Sequence, residues 1–359
     1  MTKRDIAYQR LHNQHLAGTP FEKPADVVQW LGAVQAQDYA GAKWALALRT
    51  GGLTDAEIEQ ECRSGAILRT HVLRPTWHFV VPADIRWMLE LTGPRVIARL
   101  ANAYRITELD SATFARSNDA LIRALRGGKQ LTRWELERVL NEAGIDTHKP
   151  LRFGHLLMRA ELEGIMCSGA WRGKQPSWAL LDDRAPQAKS LPRDAALAEL
   201  TRRYFTSHGP ATLKAFMWWS GLNAAEAKAG LEMVKSELQY DAIDGTTYWF
   251  AGPVAPARGS ALSLYLLPNY DEYIVAYTDR SAIYDQRHAT KLDARGNVLF
   301  NHTIVINSQV AGTWKRTFKK GAVVIESAPF VPLSAAEERA FKAAAQRYGE
   351  FLGLPVLFA

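Results

Sequence analysis

The 359-residue chain is too long for one small core, and 47% apolar residues with eleven tryptophans along its length exclude disorder. Forty-four Lys and Arg against thirty-seven Asp and Glu leave a net charge of +7, which suits an anionic partner such as nucleic acid but is shared by many enzymes. Cys62 and Cys167 stand far apart without CxxC spacing or a neighbouring histidine, which excludes a zinc site or disulfide framework and favours two buried, reduced thiols.

The N-terminus, Met1-Thr2-Lys3-Arg4-Asp5, leads into an amphipathic helix and not an apolar leader. No run reaches the length that crosses a bilayer, so a soluble intracellular protein is expected. Asp5 to Leu16 reads as a helix with Ile6, Leu11 and Leu16 inward; after Gly18-Thr19-Pro20, Pro24 opens a second. Thr54-Asp55-Ala56-Glu57 is a capping box that starts a third helix through Cys62. Ile67 to Leu73 and Thr76 to Val81, hinged at Arg74-Pro75, follow as two strands. Three helices and a hairpin make the order of a winged helix.

The order recurs. Ser117 to Leu125, Thr132 to Asn141 (capping box Thr132-Arg133-Trp134-Glu135) and Arg152 to Glu163 precede a candidate wing, Ile165 to Gly169 and Ser177 to Leu181, with Arg172-Gly173-Lys174 at its basic tip. Asp194 to Ser207, Thr212 to Ser220 and Asn223 to Ser236 precede Leu238 to Ile243, an Asp244-Gly245 hairpin turn, and Thr246 to Phe250. Three such units at a period of roughly 70 to 90 residues point to tandem repetition, with a plain α+β protein as the alternative. Past a linker at Gly252 to Gly259, Ala261 to Leu267, Thr303 to Asn307, Val310 to Phe318 and Ala322 to Ser327 read as short antiparallel strands of a sheet or barrel. Ser334-Ala335-Ala336-Glu337 caps a last helix to about Leu352.

Several groups on this scaffold have the chemistry to meet nucleic acid. Strand alternation puts Gly312, Trp314, Arg316 and Phe318 on one face and Lys315 on the other, leading to a Lys319-Lys320 tip; such a hairpin enters a groove or is an ordinary solvated turn around a structural tryptophan. In the first wing, Arg69, Thr70, His71, Arg74, Thr76 and His78 are candidate phosphate ligands, or satisfied structural residues. Asp271 and Glu272 are adjacent, so on a strand they point apart; they read as an acidic corner with at most one general base.

Gln35-Ala36-Gln37 closes the second helical stretch. On a regular helix the two amides lie about 160° apart around the axis and cannot converge. They share a site only if the helix ends near Gln35, which Asp38-Tyr39-Ala40-Gly41 allows; otherwise they are surface amides.

Together, Val34-Gln35-Ala36-Gln37-Asp38, Arg69-Thr70-His71 through Thr76-Trp77-His78, Leu267-Pro268-Asn269-Tyr270-Asp271-Glu272-Tyr273 and Val310 to Arg316 resemble the winged-helix DNA glycosylases of the AlkZ and YcaQ type over nearly the whole chain. The Gln-x-Gln pattern resembles the AlkZ-like branch, associated with unhooking interstrand crosslinks; the other branch has Gln-x-Asp. The resemblance implies an α+β chain of three tandem winged helices forming a concave basic surface, plus a C-terminal β-barrel-like domain with a terminal helix. The corresponding boundaries are 1–110, 111–188, 189–256 and 257–359.

It further implies a monofunctional glycosylase with Gln35 and Gln37 catalytic. DNA contacts are expected from Arg69, Thr70, His71, Arg74, Thr76, His78, Arg172, Lys174, Trp314, Lys315, Arg316, Lys319 and Lys320. No metal or other cofactor is expected. The partner is double-stranded DNA with alkylated or crosslinked purines, the expected state a cytoplasmic, nucleoid-associated monomer. A glutamine cannot take a proton at neutral pH. A purine alkylated at N7 is already cationic and departs as a neutral base, so two amides that position water suffice for it. The competing expectation is a non-catalytic winged-helix DNA-binding protein or transcriptional regulator.

Overall fold

The computed structural model describes residues 1–253, 262–292 and 297–359. Beyond Pro253, the expected linker to Gly259, the expected boundary after residue 256 and the expected strand start at Ala261 lie outside the described residues. The fold is mixed α+β, about half helical. The chain divides into two compact units: Met1–Glu59 with Ala198–Trp219 and Ala224–Ala359, and Gln60–Leu197 with Ser220–Asn223.

In the first unit, Thr2 and Asp5 form a capping box that starts the helix Lys3–Asn13. Pro24 opens Pro24–Leu31, which buries Val27, Val28 and Leu31 as the spacing predicts. A helix not expected from the sequence, Tyr39–Ala47, follows, with Asp38 as its N-cap. Further along, Gln239–Ile243 pairs with Thr246–Phe250 around Asp244 and Gly245. Their φ values of 51° and 75° are the left-handed pair that a two-residue hairpin turn demands.

The C-terminal strands do not close into the expected barrel. They form an open five-stranded sheet in the order Val356–Phe358, Ala322–Pro329, Gln309–Lys319, Thr303–Ile306, Leu264–Leu267. The neighbours are antiparallel except at Val356–Phe358, an unexpected strand that joins Ala322–Pro329 in parallel. A barrel requires the two outer strands to pair with each other. Here Leu264–Leu267 and Val356–Phe358 remain edges. The helix Ala335–Leu352, started by the Ser334–Glu337 capping box, brings Tyr348 edge-on to both Trp44 and Trp314. Those indoles donate to the carbonyls of Leu266 and Leu267 at 2.7 and 2.9 Å, which ties the Tyr39–Ala47 helix to the sheet.

The second unit centres on Ser111–Leu125, Arg133–Glu142 and Pro150–Leu162, which bury Leu121, Leu136, Leu140 and Leu156 against Trp178. A hairpin of Met166–Ser168 and Ser177–Leu180 follows, and Leu131–Thr132 adds a third strand. Leu68–His71 pairs with Trp77–Val80 in a second, shorter hairpin. The long helix Pro82–Arg99 contradicts its own sequence signal, because Gly93-Pro94 reads as a breaker. Gly93 has a packing reason: a Cβ there would lie 2.6 Å from the Leu162 carbonyl oxygen, so glycine lets two helices approach closely. Both cysteines are buried and neither is in a disulfide, and burial pushes the Cys167 thiol up to about 12. Among the described residues no helix is long and apolar enough to cross a membrane.

Candidate functional site

The helix that carries the glutamine motif ends earlier than expected. Gly32, at φ 78°, terminates Pro24–Leu31, and Val34–Gln35 are extended. The strand stops at Gln35, and Ala36 and Gln37 are neither strand nor helix, so the 160° divergence of a regular helix is not imposed on the amides. Asp38 then starts the next helix, its carboxylate accepting from the Gly41 N–H at 3.1 Å. Gln35 is buried and Gln37 is exposed, with fully buried Ala36 between them.

Both ends of the motif are held by charged groups. The Gln35 N–H donates to Glu272 Oε1 at 2.8 Å. The other oxygen of Glu272 accepts from the Trp219 indole at 3.0 Å, and His208 Nε2 lies 3.4 Å from it. Burial lowers the His208 pKa against the raising pull of Glu272. Adjacent Asp271 faces another way, as expected of consecutive carboxylates, and takes two 2.8 Å bonds from the buried Arg49 guanidinium.

At the other end, Arg316 Nη2 lies 3.6 Å from Asp38 Oδ2, and Arg316 Nη1 donates to the Tyr348 hydroxyl at 2.7 Å. A Cβ at Gly41 would lie 2.9 Å from Asp38 Oδ2 and 3.2 Å from Asn269 Oδ1, so glycine is needed there to admit both. Burial, reinforced by Arg316, lowers His302 to about 4. The Asn269 Oδ1 and His302 Nε2 atoms are buried with no hydrogen-bond partner.

The remaining candidates separate by burial. In the hairpin of residues 68–80, Thr70, His71 and His78, expected as DNA contacts, are buried at 0, 4 and 0% exposure. His71 Nδ1 donates to Glu161 Oε2 at 2.5 Å, and the Trp178 indole donates to Glu161 Oε1 at 2.5 Å. Burial alone would raise the Glu161 carboxyl, but His71 holds it below the usual range. His78 Nδ1 donates to the Thr76 carbonyl at 2.9 Å, while His78 Nε2 and the Thr70 and Thr76 hydroxyls have no partner. Arg74 is likewise buried, and half-buried Arg69 spreads its guanidinium over the Trp77 ring at 4.2 Å.

Arg172 and Lys174 are exposed, with Arg172 paired to Glu135. Trp314 is 2% exposed and packs in the core, as the structural alternative expects. Lys315, Lys319 and Lys320 are exposed, and Arg316 is half-buried. Sequence reasoning missed Asp38, Asn269, Glu161 and His302. Asp38 had a signal, the N-cap position ahead of Tyr39–Ala47. The others had none, because their partners are distant in sequence.

A family model described as DNA glycosylase AlkZ-like matches residues 28–351. The chain is 23% identical over 330 residues to an interstrand DNA cross-link repair glycosylase of Streptomyces sahachiroi, covering 87% of each protein. Its fold is similar to the solved structure of Streptomyces sahachiroi DNA glycosylase AlkZ, with a TM-score of 0.82 over 100% of each chain at 21% identity. The protein thus belongs to the AlkZ-like DNA glycosylase family.

Proposed function

We propose that this chain hydrolyses the N-glycosidic bond of cationic purines alkylated at N7, with Gln35 and Gln37 as the groups that position the water. One observation carries the reading: the helix ends at Leu31, which frees the motif from the helical geometry that would separate its amides. The amide carbonyls accept hydrogen bonds from water, whose oxygen bonds to the anomeric carbon as the bond to the purine nitrogen breaks. The electron pair of that bond neutralises the departing cationic base, and the surplus proton goes to solvent. Because the leaving group carries its own activation, a weakly basic pair of amides is adequate.

The name of the Streptomyces relative supports extending the substrate to crosslinked purines. We read residues 1–110, 111–188 and 189–256 as three winged helices and 257–359 as a C-terminal domain. Exposed Lys315, Lys319, Lys320, Arg172 and Lys174, with half-buried Arg69, are the proposed DNA contacts. The test is release of abasic product from duplex DNA bearing 7-methylguanine or a nitrogen-mustard crosslink. Gln35→Ala and Gln37→Ala should each slow it by about 100-fold or more. Full activity in both variants removes the glutamines from the mechanism, and DNA binding without excision by the unaltered chain favours a regulator.

A further inference from the structure

Glutamines can position water but offer only amide dipoles, and no full charge, to the positive charge that develops on the sugar as the bond breaks. A carboxylate next to the motif would do so, and one is buried there. Glu272 is 0% exposed, and each of its oxygens takes an N–H donor, Gln35 on one and the Trp219 indole on the other. Two donors suit the ionised form, which only accepts.

Its neighbour differs in one respect. The Asp271 charge is met by the bidentate Arg49 guanidinium. Both donors to Glu272, the Gln35 backbone N–H and the Trp219 indole, are uncharged, and the nearby His208 ring is fully buried beside Tyr204 and Trp219, surroundings that disfavour its cationic form. A buried carboxylate held only by neutral donors costs stability, which a use in the reaction would account for.

We infer that Glu272 is a positioning residue for base excision, fixing Gln35 through its backbone N–H and placing beside the motif the negative charge that neither glutamine carries. The inference rests on the proposed role of Gln35. Glu272 acts through the Gln35 peptide: the N–H bond to a full negative charge sets the segment's position and orients it in a field that favours a cationic sugar. In low-dielectric surroundings such a charge acts strongly over short distances.

The test uses the full chain in single-turnover excision of 7-methylguanine from duplex DNA, with DNA affinity and thermal melting measured alongside. Glu272→Gln keeps an acceptor for the Gln35 N–H and removes the charge. Its rate at saturating enzyme should fall about 10- to 100-fold with DNA affinity within about twofold of the unaltered chain. An unchanged rate, or a loss confined to affinity, overturns the inference. Glu272→Asp keeps the charge but draws it back, and its rate should fall between the two; a rate at or below that of Glu272→Gln overturns the role of charge. Should Glu272→Gln fail to fold, an unaltered rate in Glu272→Asp is the overturning result. Gln35→Ala separates the two layers. Full activity there sinks the reading of the motif, whereas a slow Gln35→Ala beside a fast Glu272→Gln sinks this inference alone.

Discussion

Two hairpins carry similar sequence, basic residues interleaved with aromatics, and the fold uses them oppositely. In residues 68–80 the strands are four residues each, and their polar side chains point into the second unit: His71 meets Glu161, and Thr70 and His78 are fully buried. In residues 309–329 the first strand has eleven residues. Its first half, through Trp314, packs in the core, while Phe318, Lys319 and Lys320 are exposed at its end. The lesson concerns length. The short hairpin is covered along most of its residues, with only Pro75 exposed, whereas the long one has an end to present. The same kind of pattern is therefore mostly covered along one hairpin and exposed at the tip of the other.

The largest effect that could break this comparison is at Glu161. Glu161→Ala strands the His71 and Trp178 donors in the interior and should cost about 3–5 kcal/mol, read by chemical denaturation. A variant as stable as the parent would show that the first hairpin is not held from inside. Next comes the long hairpin's tip. Lys319→Ala with Lys320→Ala should weaken DNA binding about tenfold at low salt and lower the salt-dependence slope by about 2, with melting unchanged. Equal salt slopes in both proteins would remove the tip from the interface.

His78 sharpens the same contrast through pH. Burial, then the nearby Arg74 charge, holds its pKa well below the usual histidine value. The folded protein thus binds fewer protons than the unfolded chain. The neutral ring's contribution is present above the unfolded pKa of about 6.5 and is lost as pH falls below it. His78→Phe should reduce the drop in melting temperature between pH 7.5 and pH 5 by a few degrees. An unchanged drop would place the acid sensitivity elsewhere, for instance at His208 or His302, whose values shift the same way. The smallest effect belongs to Thr70. Its hydroxyl is buried without a partner, so Thr70→Val should stabilise the protein by up to about 1 kcal/mol and leave DNA affinity unaltered. A loss of affinity would restore Thr70 as a contact.

Much of the fold was legible because its signals are local. The capping boxes at Thr54, Thr132 and Ser334 start helices where they were expected, and Asp244-Gly245 turns its hairpin. The helices Tyr39–Ala47 and Pro82–Arg99 were missed. The second runs through Gly93-Pro94, where the glycine serves a close helix contact. Of the site, the motif could be read, but not what holds it. Glu272 is 237 residues from Gln35, and Arg316 is still further along the chain from Asp38.

By itself the sequence determined the helix starts, the hairpin turns, the glutamine pair and the family resemblance, since each depends on residues within a few positions or on an extended pattern of identities. It also determined a condition, that the pair acts together only off the helix. Tertiary structure decided that the helix ends before the pair and which charges flank it. It also decided which polar residues are inside: Trp314 and His71 became core, the five C-terminal strands stayed an open sheet, and Glu272 came to lie against Gln35. Burial and pairing are properties of distant partners, and no local pattern records them.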